Sequence, residues 1–485
     1  MSKLNELKPS MLWKNFEGLC SVPHPSKKEE KIQKFVADFG KKIGLETIID
    51  EVGNVIIRKP ATPGMENRKG IIIQGHLDMV PQKNSDTKHD FENDPIQPRI
   101  DGEWVKATGT TLGADNGIGV AAAMTILESK DLPHGPIECL FTTDEETGMT
   151  GAFGLKGGIF KGDILLNLDS EEEGELYIGC AGGINTSITF NYKEEKVPAG
   201  SIAFNVKVTG LKGGHSGMEI NLGRGNANKI MNRILWQASR DFGLSLSKIE
   251  GGSLRNAIPR ESFALVTIPA VNEDKFNNFI KMFADSVKKE LATTEPDLKV
   301  LAEKTELPST IIDPKVQANL FNSIYACPNG VYTMSADIEG LVETSTNLAQ
   351  IKSENGKIQI ETLQRGSVES LKDDVANAHN AVFTLAGAEV VHAGGYPGWK
   401  PNVNSEILIL MKKLYNEMYH KEPEVKAVHA GLECGLLGKL YPNWDMISFG
   451  PTICSPHSPD ERVNIASVGK FWDLLINVLK NAPKK

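Results

Sequence analysis

The run Ile71-Ile72-Ile73-Gln74-Gly75-His76-Leu77-Asp78 constrains the fold more than any other part of the chain. Three β-branched residues in succession predict a strand buried on both faces, the kind found in the middle of a parallel sheet. Open α/β sheets gather ligands and catalytic groups at the carboxyl ends of their strands. This run ends in a histidine, with an aspartate two residues on. In continued extended backbone the two side chains point to the same side. Two readings stand at this point: a buried structural His–Asp pair, or an imidazole whose orientation the carboxylate sets.

Two further apolar runs repeat the pattern. Ile137–Thr143 leads into Asp144-Glu145-Glu146, and Ile164–Leu168 leads into Asp169. Carboxylates directly after buried strands are costly unless something positive sits among them. Three strands that deliver a His or acids to their carboxyl ends therefore point to a cation. The glycine-rich stretch Gly109–Ala123 adds Asp115 at the start of a small, apolar, buried helix. Asp115 reads either as a helix cap or as a further ligand, and no GxxxxGK[ST] is present to make this a phosphate loop. The late segment Ser455-Pro456-His457-Ser458-Pro459-Asp460-Glu461 offers a second imidazole.

The candidate metal set is therefore His76, Asp115, Glu146, Asp169 and His457. Nitrogen and oxygen donors without thiolate suit a catalytic zinc site and tolerate cobalt or manganese. Five ligands over-supply one ion and suit two if a carboxylate bridges. Glu145, beside Glu146, is the natural general base. Asp78 would hydrogen-bond the free nitrogen of His76 and fix its tautomer. His24, between Pro23 and Pro25, reads as a loop or surface histidine, and His89-Asp90 as part of a solvated loop.

Length and composition narrow the setting. A chain of 485 residues exceeds one hydrophobic core. A formal net charge of −9 argues against a nucleic-acid partner. No apolar run reaches the roughly 18 residues of a membrane span, and the first residues show no apolar signal segment. The six cysteines are scattered, as in a reducing compartment, so a cytoplasmic enzyme or binding protein is expected.

From about Ala181 the character changes to alternating strands and covering helices, in two rounds that share little sequence. The sheet pattern resumes after Gly394-Gly395-Tyr396-Pro397. Asp169 and His457 must meet at one site, so the intervening segment must leave the sheet and return. The expected organisation is α/β: a catalytic domain with a central mixed sheet flanked by helices, residues 1–186 and 397–485, interrupted by an α+β lid, 187–396. The lid is expected to hinge near Ala181 and Gly394. His429 and Glu433 are read as holding the returning segment in place.

Five ordered motifs, GHLDMV, TLGADNGIG, the acidic pair in DEETG, NLDSEE and SPHSPDE, resemble the co-catalytic zinc aminopeptidase, carboxypeptidase and aminoacylase family. None of these positions departs from the family pattern. The resemblance implies that His76, Asp115 and Asp169 hold one metal, and that Asp115, Glu146 and His457 hold the other, with Asp115 bridging. It implies a metal-dependent dipeptidase acting on substrates that include Xaa-His (carnosine-like) dipeptides. Two divalent ions, zinc before cobalt or manganese, and a homodimer go with it. His215, in Gly213-Gly214-His215-Ser216-Gly217, reads from the residues alone as a loop histidine. The resemblance makes it a lid residue that meets the substrate or its oxyanion. Asn256 and Arg365 are candidates for the substrate carboxylate, the alternative for Arg365 being a surface arginine. An aminoacylase, tripeptidase or deacetylase on the same scaffold, or a non-catalytic binding protein, are the competing readings. Glu145 disfavours the last, since a mere binding site has no use for a base beside the metal.

Overall fold

The computed structural model describes residues 4–485. The chain forms two compact units. The first comprises Met1–Gly179, Pro401–Ala427 and Leu432–Lys485, and the second Cys180–Lys400 with Val428–Gly431.

The first unit is built on an eight-stranded mixed sheet. At its centre Ile137–Thr142, Ile71–His76, Ile164–Asn167 and Asp445–Ser448 lie side by side, all parallel. The hairpin Glu46–Ile49 and Val55–Lys59 extends it antiparallel on one side. Every residue of Ile71–His76 is buried, and so is every residue of Ile137–Thr142, as the unbroken apolar runs predict. Helix Ala114–Glu128 packs on the strand Ile71–His76, and helix Ser10–Cys20 packs on that helix in turn. Almost the whole helix Ala114–Glu128 is buried, which explains why it carries small apolar residues on every side.

The close approach of helix and strand depends on two glycines that flank Asn116. A methyl group at Gly75 would lie 2.3 Å from Asn116 Oδ1, and one at Gly119 would lie 2.5 Å from the same atom. Between them the Asn116 amide donates to the Leu168 carbonyl at 2.7 Å, tying the loop after one strand to the residue next to Asp115. Gly75→Ala should destabilise the unit by about 1–3 kcal/mol through overpacking, read as a lower denaturation midpoint. An unchanged midpoint would mean that this contact is not tight.

The strands Glu175–Cys180 and Gly182–Asn191 are additions to the sequence reading. One reading is corrected: His24 is 5 % exposed, not a surface residue. Its loop crosses the carboxyl end of the central strand, where its carbonyl accepts the Met79 N–H at 3.1 Å.

The second unit has a nine-stranded antiparallel sheet. The two rounds of strands join in it where Ser245–Gly251 meets Val342–Glu354. Alternate residues Phe204, Val206 and Val208 share one core with Ile230, Phe276, Leu320 and Phe383 from four helices. The α+β character expected for this part of the chain is what it has.

Candidate active site

In the first unit His76 closes the strand Ile71–His76. Its Nε2 lies 3.1 Å from Asp115 Oδ1 and 3.2 Å from Asp169 Oδ1. His457 Nε2 lies 3.3 Å from Asp115 Oδ2 and 2.9 Å from Glu146 Oε2. Asp115 thus presents one carboxylate oxygen to each imidazole. Donor atoms of His76, Asp115 and Asp169 all lie within 4.8 Å of one another, as do those of Asp115, Glu146 and His457. Glu145 forms a third such group with His76 and Glu146.

The charges at this edge are unbalanced. Among the described residues the only cationic partners of Asp115, Glu146 and Asp169 are the two imidazoles. Glu146 Oε1 is buried with no hydrogen-bond partner among the described residues. Burial alone would raise the Asp115 carboxyl, but hydrogen bonds from His457 and His76 override it and hold it well below the carboxylate range. Burial pushes Asp169 up to about 6 and carries Glu145 well above its ordinary value, aided by the neighbouring carboxylates. Hydrogen bonds to Asp115 and Glu146 raise His457 to about 11. An orphaned buried oxygen and crowded acids with nitrogen and oxygen donors fit divalent cations.

Three devices hold these groups. The first is Asp78, whose backbone carbonyl lies 3.0 Å from His76 Nδ1 while its carboxylate oxygen lies at 3.5 Å. The carboxylate accepts the N–H groups of Glu145 at 3.0 Å and Glu146 at 3.3 Å, and the Ser26 hydroxyl at 2.8 Å. Asp78 therefore orients the imidazole mainly through its carbonyl, and its side chain anchors the two glutamates. Burial would raise this carboxyl, but His76 and these donors bring it down to about 2.

The second device is Glu461, which reading the sequence did not single out. Its buried carboxylate accepts four consecutive backbone N–H groups, from Leu112 and Gly113 on one oxygen and Ala114 and Asp115 on the other, at 2.7–3.3 Å. An anion at a helix N-terminus satisfies donors that the helix cannot, and here it also fixes the backbone of Asp115. The third is Glu433, fully buried, which accepts from Gln74 at 2.6 Å and Thr142 at 2.7 Å beneath the site. His457 itself sits at φ 57°, a left-handed conformation costing on the order of 1–2 kcal/mol in a non-glycine residue.

In the second unit His215 pairs in register with Ala257, next to Asn256. Both His215 and Asn256 line a cavity of about 720 Å³ with Lys212, Glu250, Arg260 and Phe263. His215 Nδ1 accepts the N–H groups of Gly217 and Met218 at 3.2 and 3.0 Å, which leaves Nε2 as its proton-bearing nitrogen. Burial and the nearby Arg365 lower its pKa. Arg365 is buried, not a surface residue, and its Nε has no partner among the described residues. It converges with His215 and His429 around Gly217. Burial, Arg365 and His215 push His429 down to about 3, and it hydrogen-bonds Ser345 at 2.7 Å.

Residues 72–481 match peptidase family M20/M25/M40. The chain belongs to that family. As a member of M20/M25/M40 it is a peptidase, a hydrolase of a family that uses divalent metal ions. It is 47% identical to the cytosol non-specific dipeptidase of Escherichia coli (strain K12) over 485 residues, 100% of each chain. The crystal structure of aminoacylhistidine dipeptidase from Vibrio alginolyticus matches with a TM-score of 0.96 at 49% identity, covering 100% of this chain and 99% of that one. A tripeptidase from Staphylococcus aureus shares the fold at a TM-score of 0.56 and 16% identity, over 98% of each chain. Among the described residues no helix is long and apolar enough to cross a membrane.

Proposed function

We propose that this chain is a metal-dependent dipeptidase that hydrolyses dipeptides with a free carboxyl end, Xaa-His among them. The observation that carries the reading is the sharing of Asp115 between two imidazole-containing donor groups, with Glu145 beside them. The names of the full-length relatives, a non-specific dipeptidase and an aminoacylhistidine dipeptidase, support the substrate class. His76, Asp115 and Asp169 would hold one divalent ion and Asp115, Glu146 and His457 a second, zinc before cobalt or manganese. Such ions acidify water and polarise the carbonyl of the scissile amide.

The remaining work falls to the chain. Glu145 takes the proton of the attacking water and returns it to the leaving amine as the C–N bond breaks. Asp78 holds Glu145 and Glu146 by their backbone N–H groups. His215, neutral and carrying its proton on Nε2, donates to the oxyanion. Arg365, a buried guanidinium without a counter-ion among the described residues, takes the substrate carboxylate, with Asn256 as a further polar contact. The second unit is read as the lid domain, whose part is to exclude water from the bound dipeptide. The relative's name supports a cytoplasmic enzyme, and a homodimer is the expected assembly, readable by sedimentation.

Metal analysis together with hydrolysis of a panel of Xaa-His dipeptides, tripeptides and N-acyl amino acids tests the proposal. Two ions per chain and preference for dipeptides are expected. Preference for N-acyl amino acids, or activity that survives complete metal removal, would overturn it.

A further inference from the structure

We propose that Tyr396 is a second donor to the substrate carboxylate, acting beside Arg365 to make the enzyme selective for peptides with a free carboxyl end. The assignment rests on the reading of Arg365 given above.

Three features of the second unit converge on this side chain. The strand Glu389–Tyr396 runs antiparallel to Gly182–Asn191, and its register breaks between Ala393 and Tyr396, with Gly394 at φ 61°. A bulge of this kind re-aims the side chain that follows it, and here it brings Tyr396 opposite Gly183. The ring then lies in a slot that two glycines leave open. A methyl group at Gly183 would meet ring atoms at 2.7–2.8 Å, and one at Gly431 would meet the ring at 3.0 Å. Any side chain at Gly183 would evict the phenol.

The third feature is the hydrogen bond that the slot produces. Arg365 Nη1 donates to Tyr396 Oη at 2.8 Å. The phenol oxygen is the acceptor there, so its own proton must point elsewhere. Among the described residues Tyr396 Oη makes no other hydrogen bond. Among the described residues Arg365 Nε is likewise without a partner, and no carboxylate pairs with this 5 % exposed guanidinium. A buried cation with unspent donors and an adjacent unspent O–H together describe a receptor for a small planar anion. Of the groups on a dipeptide, only the terminal carboxylate is always such an anion. An ionised acceptor is also where one hydrogen bond counts most.

The test compares kcat/KM for a dipeptide and for its C-terminal amide, using the metal-loaded enzyme and its Tyr396→Phe and Arg365→Met variants. Tyr396→Phe keeps the ring in its slot, and an unchanged thermal midpoint and metal content check that the fold is intact. The ratio of free acid to amide should fall by about 10-fold or more in Tyr396→Phe, through KM with kcat nearly constant, and further in Arg365→Met. If Tyr396→Phe lowers acid and amide equally, or leaves both unchanged, while Arg365→Met is acid-selective, Tyr396 is structural and this proposal fails alone. If Arg365→Met shows no acid selectivity, the reading of Arg365 fails and takes the Tyr396 assignment with it.

Discussion

Replacing Glu145 by alanine should leave the metal content of the protein unchanged and lower turnover by about 10²- to 10⁴-fold. Glu145 shares a donor group with His76 and Glu146, but the two ligand sets that meet at Asp115 are complete without it. Burial and the surrounding carboxylates favour its protonated form, and bound cations would offset that neighbouring charge and leave it ionised, free to take a proton from water. Its backbone is held by Asp78 independently of its side chain, so the truncation should not disturb the loop. Metal analysis and steady-state kinetics on the same preparation check both halves. Turnover within a few-fold of the parent would remove Glu145 from the mechanism. Loss of metal would make it a ligand instead.

Asp115→Ala should be more damaging still. Asp115 is common to both ligand sets, so its loss weakens both at once, whereas His457→Ala touches only one. Outer-shell changes around metal ligands cost about 10- to 100-fold in affinity, and removing a shared ligand should exceed that. After dialysis against a modest chelator, Asp115→Ala should retain essentially no metal and no activity, and His457→Ala should retain one ion. Equal metal content in the two variants would show that Asp115 does not bridge.

Much of this site was legible in the sequence, and the reason is geometric. Strand ends are marked by where apolar runs stop, so the sequence alone puts His76, Glu145, Glu146 and Asp169 on one sheet edge. Asp115 and His457 were legible from residue type, in a Gly-rich helix start and a Pro-flanked loop. Glu461 was not. Its role depends on four N–H groups far away in the chain, and nothing in its neighbours marks an acid as clamped and not solvated. The only signal was its place four residues after His457. Glu433 was read as holding the returning segment, and it does so through Gln74 and Thr142. Tyr396 was hidden for another reason: a bulge shifts the side-chain alternation that period-two reading relies on. His24 misled because prolines on both sides signal a turn but do not say what the turn lies against.

The strand Asp445–Ser448 sits inside the mixed sheet of the first unit, between Ile164–Asn167 and Glu175–Cys180. During synthesis both of its neighbours leave the ribosome long before it does, with the second unit made in between. The earlier strands must wait with an apolar flank and an open hydrogen-bonding edge, a state prone to wrong pairing. Only the stretch made after the second unit fills that gap, and the same stretch brings His457 and Glu461. The proposed ligand His457 therefore arrives only after the second unit has been made, and a product terminated before it would be exposed as incomplete by its unfilled sheet.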